Sequence, residues 1–435
     1  MNRYIQILTS SFYNKYVTIL FIATPSSFPF LSFNQLPHRI ITIFLIINFL
    51  LQQDLLQRLK SSVKNKTFWV CLGLFLLPLF WAPFSDRGAT FFSIEKLLSF
   101  PIYALILFCY PPKMNLIYKG IWMLSITLSV IFMISLIHRI YYLYVEFFMQ
   151  APSLSVAIEG LNKTYWWNKF THLSLMSFFR AHPSYLGMYI TFTVFYLAFT
   201  LNETLATKKK YSVVLISILL MFQLLLAAKM AIITTIICFL IWAGFEIVVN
   251  KKWLLGLIVV STIAICTLLV NLYLPAVKDR FTVNYRMFLE NDQKLSEENV
   301  ASQRIFVWSC SIRGILEKPV FGHGPGAAQL YLNDCARDQS LTRTLNQNAH
   351  NQFLQTTLSF GLVGLIVILT YFLVGSIQAT HCNNKIFFAF LVITMLSFQT
   401  ESMLSRQMGI TFFCFFFTSF LANFARNYRD KYEFK

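Results

Sequence analysis

Between Ala301 and Gly364 a polar stretch interrupts an otherwise apolar chain and gathers residue types suited to an anionic substrate. It reads Arg304-x3-Trp308, Pro319-x2-Gly322-x-Gly324-x-Gly326, His350-Asn351-x2-Leu354 and Gly361-x2-Gly364. His350 stands just before an apolar run. An ordinary imidazole titrates near physiological pH, so it can accept and return a proton within one catalytic cycle. The plainer reading is a helix-terminal histidine satisfied by Asn351 or by backbone. Arg304 keeps its charge and offers a planar fork that matches phosphate oxygens. Taken alone, it reads as a surface arginine pairing with a nearby acid. Gly322, Gly324 and Gly326 permit backbone conformations closed to other residues, and their successive amides could form an anion nest.

Further candidates lie outside that stretch. Lys229 sits between the apolar runs LLLAA and MAIITTIICFLIW, where an ionisable group is a functional candidate or a lysine snorkelling to the interface. Arg180 and His182, in Arg180-Ala-His182-Pro183-Ser184-Tyr185, enter the next apolar run together and could line one cavity. Glu401 and Arg406 flank the last polar turn and could equally form a structural ion pair.

The elements that must hold these residues are membrane helices. The chain is 57% hydrophobic and 12% charged, with repeated apolar runs near the length of a bilayer crossing. Long runs without alternation exclude a β-barrel and leave an all-α, polytopic protein. The 20-residue criterion gives about twelve spans. They are expected near 16–33, 40–54, 67–83, 98–111, 116–137, 184–201, 211–228, 230–249, 254–274, 351–375, 386–400 and 408–424. The segment 85–100 is too polar to span and suits an amphipathic helix at the interface. Trp166 and Trp167, beside Tyr165, mark an aromatic anchor. Within the long polar connection 275–350, Ile305, Phe306, Trp308, Ile312 and Leu316 have helical spacing over 303–316, and 290–302 reads as polar linker. Two regions result: N-terminal membrane helices over 1–183, and a second membrane region over 184–435 that contains the 275–350 loop.

Charge distribution sets the expected orientation. Arg58, Lys60, Lys64 and Lys66, then Lys208–Lys210, Lys251 with Lys252, and Arg426, Arg429, Lys431 and Lys435 fall on one side of the twelve-span arrangement. The positive-inside rule makes that side cytoplasmic, with both termini inside and the 275–350 loop outside. The net charge of +18 is thus a topology and lipid signal rather than a nucleic-acid footprint. Within 275–350 nine Lys and Arg face eight Asp and Glu, so a cation used there is chosen by position. Six of eight cysteines fall in or beside spans; Cys310 and Cys335 share the loop, as a disulfide or as two thiols. No metal-ligand spacing such as Cys-x-x-Cys occurs, and no cofactor is implied. The first span lacks a small-residue cleavage site and is expected to stay as a helix.

Together these motifs resemble the O-antigen ligase and polymerase superfamily, from about Arg180 to the C-terminus. The most specific match is Arg304, Trp308, Pro319, Gly322, Gly324, Gly326, His350, Asn351 and Leu354, with His182 to Leu186 and Glu401 to Gly409 resembling more variable motifs. The resemblance implies a bacterial inner-membrane enzyme that moves a glycan from an undecaprenyl-diphosphate carrier to an acceptor hydroxyl on the periplasmic face. It implies diphosphate binding by Lys229 and Arg304, with Arg180 beside them. Lys229 departs from the family's Ser-Arg context and supplies charge without a bidentate fork. His350 is the implied general base, and no divalent metal is needed. A ligase delivers to a lipid A-core and a polymerase to a growing glycan; the ligase reading is taken. A polysaccharide transporter or flippase is the alternative from another class. Against it stand the lack of an internal repeat and the scarcity of acids within spans.

Overall fold

The computed structural model describes residues 16–52, 54–84, 87–145, 169–201, 206–248, 251, 253–254, 256–257, 260–261, 300–338 and 344–432. Among them there are helices and connections and no strand. The helices are α1 (Tyr16–Ser32), α2 (Leu36–Leu50), α3 (Leu55–Val63), α4 (Lys66–Trp81), α5 (Arg87–Leu97), α6 (Ser99–Cys109), α7 (Met114–Tyr144) and α8 (His172–Leu175). They continue with α9 (Pro183–Thr200), α10 (Ala206–Leu226), α11 (Lys229–Val248), α12 (Val300–Glu317), α13 (Ala327–Asp338), α14 (Gln352–His381), α15 (Lys385–Phe398) and α16 (Gln407–Tyr432).

Helices occupy every expected stretch except 254–274, most of which lies outside the described residues, as do Tyr165 to Trp167 and residues 290–299. Length and apolarity suffice for a crossing in fewer of them. Among the described residues five qualify, α7, α11, α14 and parts of α10 and α16, or six if α2 and α3, bent by 102°, are one broken span. The remainder fall short because they run 11 to 17 residues, as in α6 and α1, or are less apolar. Segment 85–100 contains a helix, α5, but its apolar and polar residues are spread around the axis rather than divided into the two faces expected. The 275–350 connection is more structured than a loop, since its described part holds α12, covering the expected 303–316, and α13.

The chain divides into two compact units, 1–124 with 295–435, and 125–294. This division follows packing, whereas 1–183 and 184–435 follow motif content. In the first unit α16 is the interior helix, with 94% of its apolar window buried. Its run Phe412, Phe413, Phe415, Phe416 and Phe417 is apolar on all sides, which suits a helix surrounded by protein. Phe413 stacks on Phe417 and on Phe390 of α15, with ring centroids 5.3 and 6.0 Å apart. Tyr371 of α14 completes the group and donates its hydroxyl to the Cys71 carbonyl of α4 at 2.8 Å. In the second unit Thr191, Gln223 and Thr235 meet in a buried hydrogen-bonded trio joining α9, α10 and α11. Side-chain hydrogen bonds of this kind hold helices together where apolar burial gives little preference.

A break interrupts α14 ten residues after its N-cap Asn351. Gly361 sits at φ 63° and ψ −159°, a region closed to residues with a side chain. The break releases backbone groups, and the 319–324 turn takes them up. His323 and Gly324 donate their amides to the Leu358 and Ser359 carbonyls at 2.9 and 2.8 Å. In return, Leu362 and Val363 donate to Pro319 and Val320 at 2.8 and 3.4 Å. The two backbones approach so closely that a Cβ on Gly322 would lie 2.5 Å from the Gly361 nitrogen. The His323 ring makes a further 2.8 Å hydrogen bond to Gly314 of α12.

Cys310 and Cys335 form a disulfide that staples α12 to α13, with Cα atoms 6.2 Å apart. Phe306, Val307, Leu332, Ala336 and Leu358 pack around it into a small core shared with α14. Closing a loop of this length stabilises by about 3 kcal/mol through chain entropy. A Cys335→Ser substitution is expected to speed amide exchange in α13 well before α14 is affected; equal exchange in both chains would refute the staple.

Candidate functional site

Three elements of the first unit converge on one carboxylate. Arg304 and Trp308 are one turn apart on the same face of α12, which is what an x3 spacing produces. Arg304 reaches the turn after α15, where Nη1 donates to the Thr400 carbonyl at 3.4 Å and Nη2 lies 3.7 Å from Glu401 Oε2. Trp308 instead donates its indole N–H to the Ala349 carbonyl at 2.8 Å. One helix face therefore holds both the acid and the residue before the histidine.

His-Asn-x2-Leu is a helix start. Asn351 is the N-cap of α14, and its side-chain oxygen accepts from the Leu354 amide at 3.0 Å. The same side chain donates to the Gln399 carbonyl at 3.1 Å, binding the cap to the Glu401 turn. His350 precedes the cap at φ 45°, an uncommon backbone conformation for a residue with a side chain. Such strain tends to be kept where it positions a functional group. Asn348 accepts the His350 amide at 3.0 Å and Gln355 accepts the Ala349 amide at 2.8 Å, so side chains brace the turn on both sides.

The result is a Glu401–His350 pair. Nδ1 of His350 lies 3.1 Å from Glu401 Oε1, and Nε2 has no hydrogen-bond partner among the described residues. Glu401 is almost enclosed, its side chain 6% exposed, while His350 is 23% and Arg304 32% exposed. A carboxylate this buried keeps its charge by pairing, here with a fixed guanidinium and an imidazole. With Nδ1–H directed at the carboxylate, Nε2 carries the lone pair, in the orientation a general base needs. The Nε of Arg304 is buried without a partner among the described residues.

Several expectations change. Arg406 is exposed and forms no ion pair among the described residues, so it is not the partner of Glu401. An anion nest at the glycine turn is also excluded for three of its amides. Those of Gly322, His323 and Gly324 are already given to Lys318, Leu358 and Ser359. Gly322 serves close backbone approach within the protein instead. The structure also assigns His350 an acid that the spacing did not reveal, because Glu401 lies far downstream in another turn. Gly361 was legible only as a glycine inside an apolar run, a signal for a break.

The remaining candidates belong to the second unit. His182 is the N-cap of α9, its Nδ1 accepting from Ser184 at 3.4 Å, and Pro183 takes the first helical position. Arg180 is exposed at φ 51°. Lys229 opens α11 after a turn in which Ala227 sits at φ 46°. Among the described residues no group of three or more His, Cys, Asp or Glu is placed to hold a metal ion.

The O-antigen ligase family model matches residues 211–369. That range includes Lys229, Arg304, Trp308, the glycine turn, His350 and Asn351, and ends before Glu401. A Rickettsia conorii protein provisionally named a polysaccharide ligase is 30% identical over 125 residues, 26% of this chain and 30% of its own length. A Haemophilus influenzae protein whose name gives no function is 24% identical over 195 residues, 40% of this chain and 49% of its own length. The chain spans about half or less of the length of these relatives.

Proposed function

We propose that this multi-pass membrane protein, which carries an O-antigen ligase region over residues 211–369, transfers a glycan from an undecaprenyl-diphosphate carrier to an acceptor hydroxyl. The observation that carries the reading is the Glu401–His350 pair beside Arg304. In the proposed step, Nε2 of His350 takes the proton of the acceptor hydroxyl as its oxygen attacks the anomeric carbon. The bond from that carbon to the carrier phosphate breaks, the configuration inverts, and the electron pair leaves on the diphosphate. Arg304 stabilises that charge as it develops, which is where an electrostatic contribution lowers the barrier. Lys229 and Arg180 are proposed as further diphosphate ligands on their chemistry, and His182 as a supporting cap. The acceptor is proposed to be a lipid A-core, with a growing glycan chain as the second reading. On the positive-inside pattern the chemistry takes place on the periplasmic face of the inner membrane, with both termini inside.

Purified full-length protein, given lipid-linked glycan and each acceptor separately in the presence of a chelator, tests the whole proposal. Transfer to the lipid A-core acceptor supports the ligase reading, and transfer to a glycan alone supports the polymerase. No transfer to either refutes both.

Glu401 acts through His350 as a positioning residue. Glu401→Gln is expected to lower kcat about 100-fold, since the imidazole loses the group that fixes its tautomer. KM should move little, and Glu401→Asp should restore part of the rate. A purely structural role would instead lower the yield of folded protein and leave kcat of the survivors unchanged.

A further inference from the structure

The first unit has a second feature with chemistry, at the end of α16 remote from Glu401. Arg426 lies nineteen residues after Gln407, which at the helical rise is roughly 28 Å. Beside it opens a cavity of about 760 Å³, the size of an ordinary small-ligand site. Its floor is apolar, with Phe21 from α1, Phe49 from α2, Ile106 from α6 and Phe415 from α16. Its lining also includes Arg58, Lys113 and Arg426, and no Asp or Glu.

The three cations are held differently. Arg58 is fixed by its pair with Asp54, by donation to the Cys109 carbonyl at 3.2 Å, and by the Tyr110 ring 4.7 Å away. Arg426 donates to the Pro111 carbonyl at 3.5 Å. Lys113 is exposed at the head of α7. An apolar floor beside cations fits a molecule with an anionic head and a hydrocarbon body. A free inorganic anion would leave the floor unused, and a zwitterionic head would bring its own cation against the lysine and arginines. The volume accommodates a headgroup and upper chain, leaving the rest of the chains outside.

We propose that this cavity binds one anionic phospholipid, its phosphate at Lys113, Arg426 and Arg58 and its upper chain against Phe21, Phe49 and Ile106. The positive-inside pattern assigns the lipid to the cytoplasmic leaflet. The site is independent of the transferase reading, because it shares no residue with it.

The test uses the full chain reconstituted in phosphatidylcholine vesicles with and without phosphatidylglycerol, then native mass spectrometry after extraction. One phosphatidylglycerol is expected to stay bound, and phosphatidylcholine is not. The double variant Lys113→Gln, Arg426→Gln should weaken retention by roughly thirtyfold. The charge-preserving pair Lys113→Arg, Arg426→Lys should retain the lipid, which separates loss of charge from loss of fold. Equal retention of both lipids, unchanged retention in the glutamine variant, or displacement by inorganic phosphate would each overturn the proposal.

Discussion

Replacing His350 with alanine is expected to lower glycan transfer by about 10²- to 10⁴-fold, the range that a positioned general base contributes. The protein should still insert and fold. Its side chain is partly exposed and makes one hydrogen bond, to Glu401, which keeps its ion pair with Arg304 after the substitution. The loss should therefore fall on kcat, with binding of the lipid-linked donor retained. Arg304→Ala is expected to differ in kind. It removes the cation proposed to meet the leaving diphosphate and leaves Glu401 with one charged neighbour fewer. Arg304→Lys keeps a charge but not the planar fork, and should recover only part of the activity. Full transfer by correctly inserted His350→Ala protein would exclude the imidazole from the reaction.

A second large effect is expected at Gly361. A Cβ there would sit 2.2 Å from the Val320 carbonyl oxygen, and the backbone conformation alone costs about 1–3 kcal/mol for a residue with a side chain. Gly361→Ala should therefore open the four hydrogen bonds between 319–324 and 358–363, and transfer should fall with them. Amide exchange would rise at both strips together, because each supplies partners to the other. Gly322→Ala should reproduce the effect from the opposite side, where the Cβ meets the backbone of Ser359, Phe360 and Gly361. Gly244 in α11 is the control, since a Cβ there meets nothing within 4 Å. Normal exchange in the Gly361 variant would show that the turn docks on α14 without needing glycine.

The expected motifs were legible because each is local. Arg304 with Trp308 is one turn of a helix, and His350 with Asn351 and Leu354 is the start of another, so spacing alone exposes them. Glu401 was visible as an acid and not as the partner of His350, since its role depends on how two turns pack. The glycine turn misled for a related reason. Its composition suits an anion or a backbone equally, and only the break at Gly361 decides between them. The number of crossings was least legible, because apolar runs such as α4 and α15 form helices of 16 and 14 residues, below the length of a crossing.

The joint between the 319–324 turn and the broken helix is built from main-chain groups. Amide and carbonyl groups are the same in every residue but proline, which lacks the N–H, so such a joint is nearly indifferent to sequence. Val320, Phe321, Phe360 and Leu362 could each be exchanged for another residue other than proline while its bonds stay in place. What the joint demands is two missing side chains, at 322 and 361. The side chains on both strips can then change without the joint having to be rebuilt.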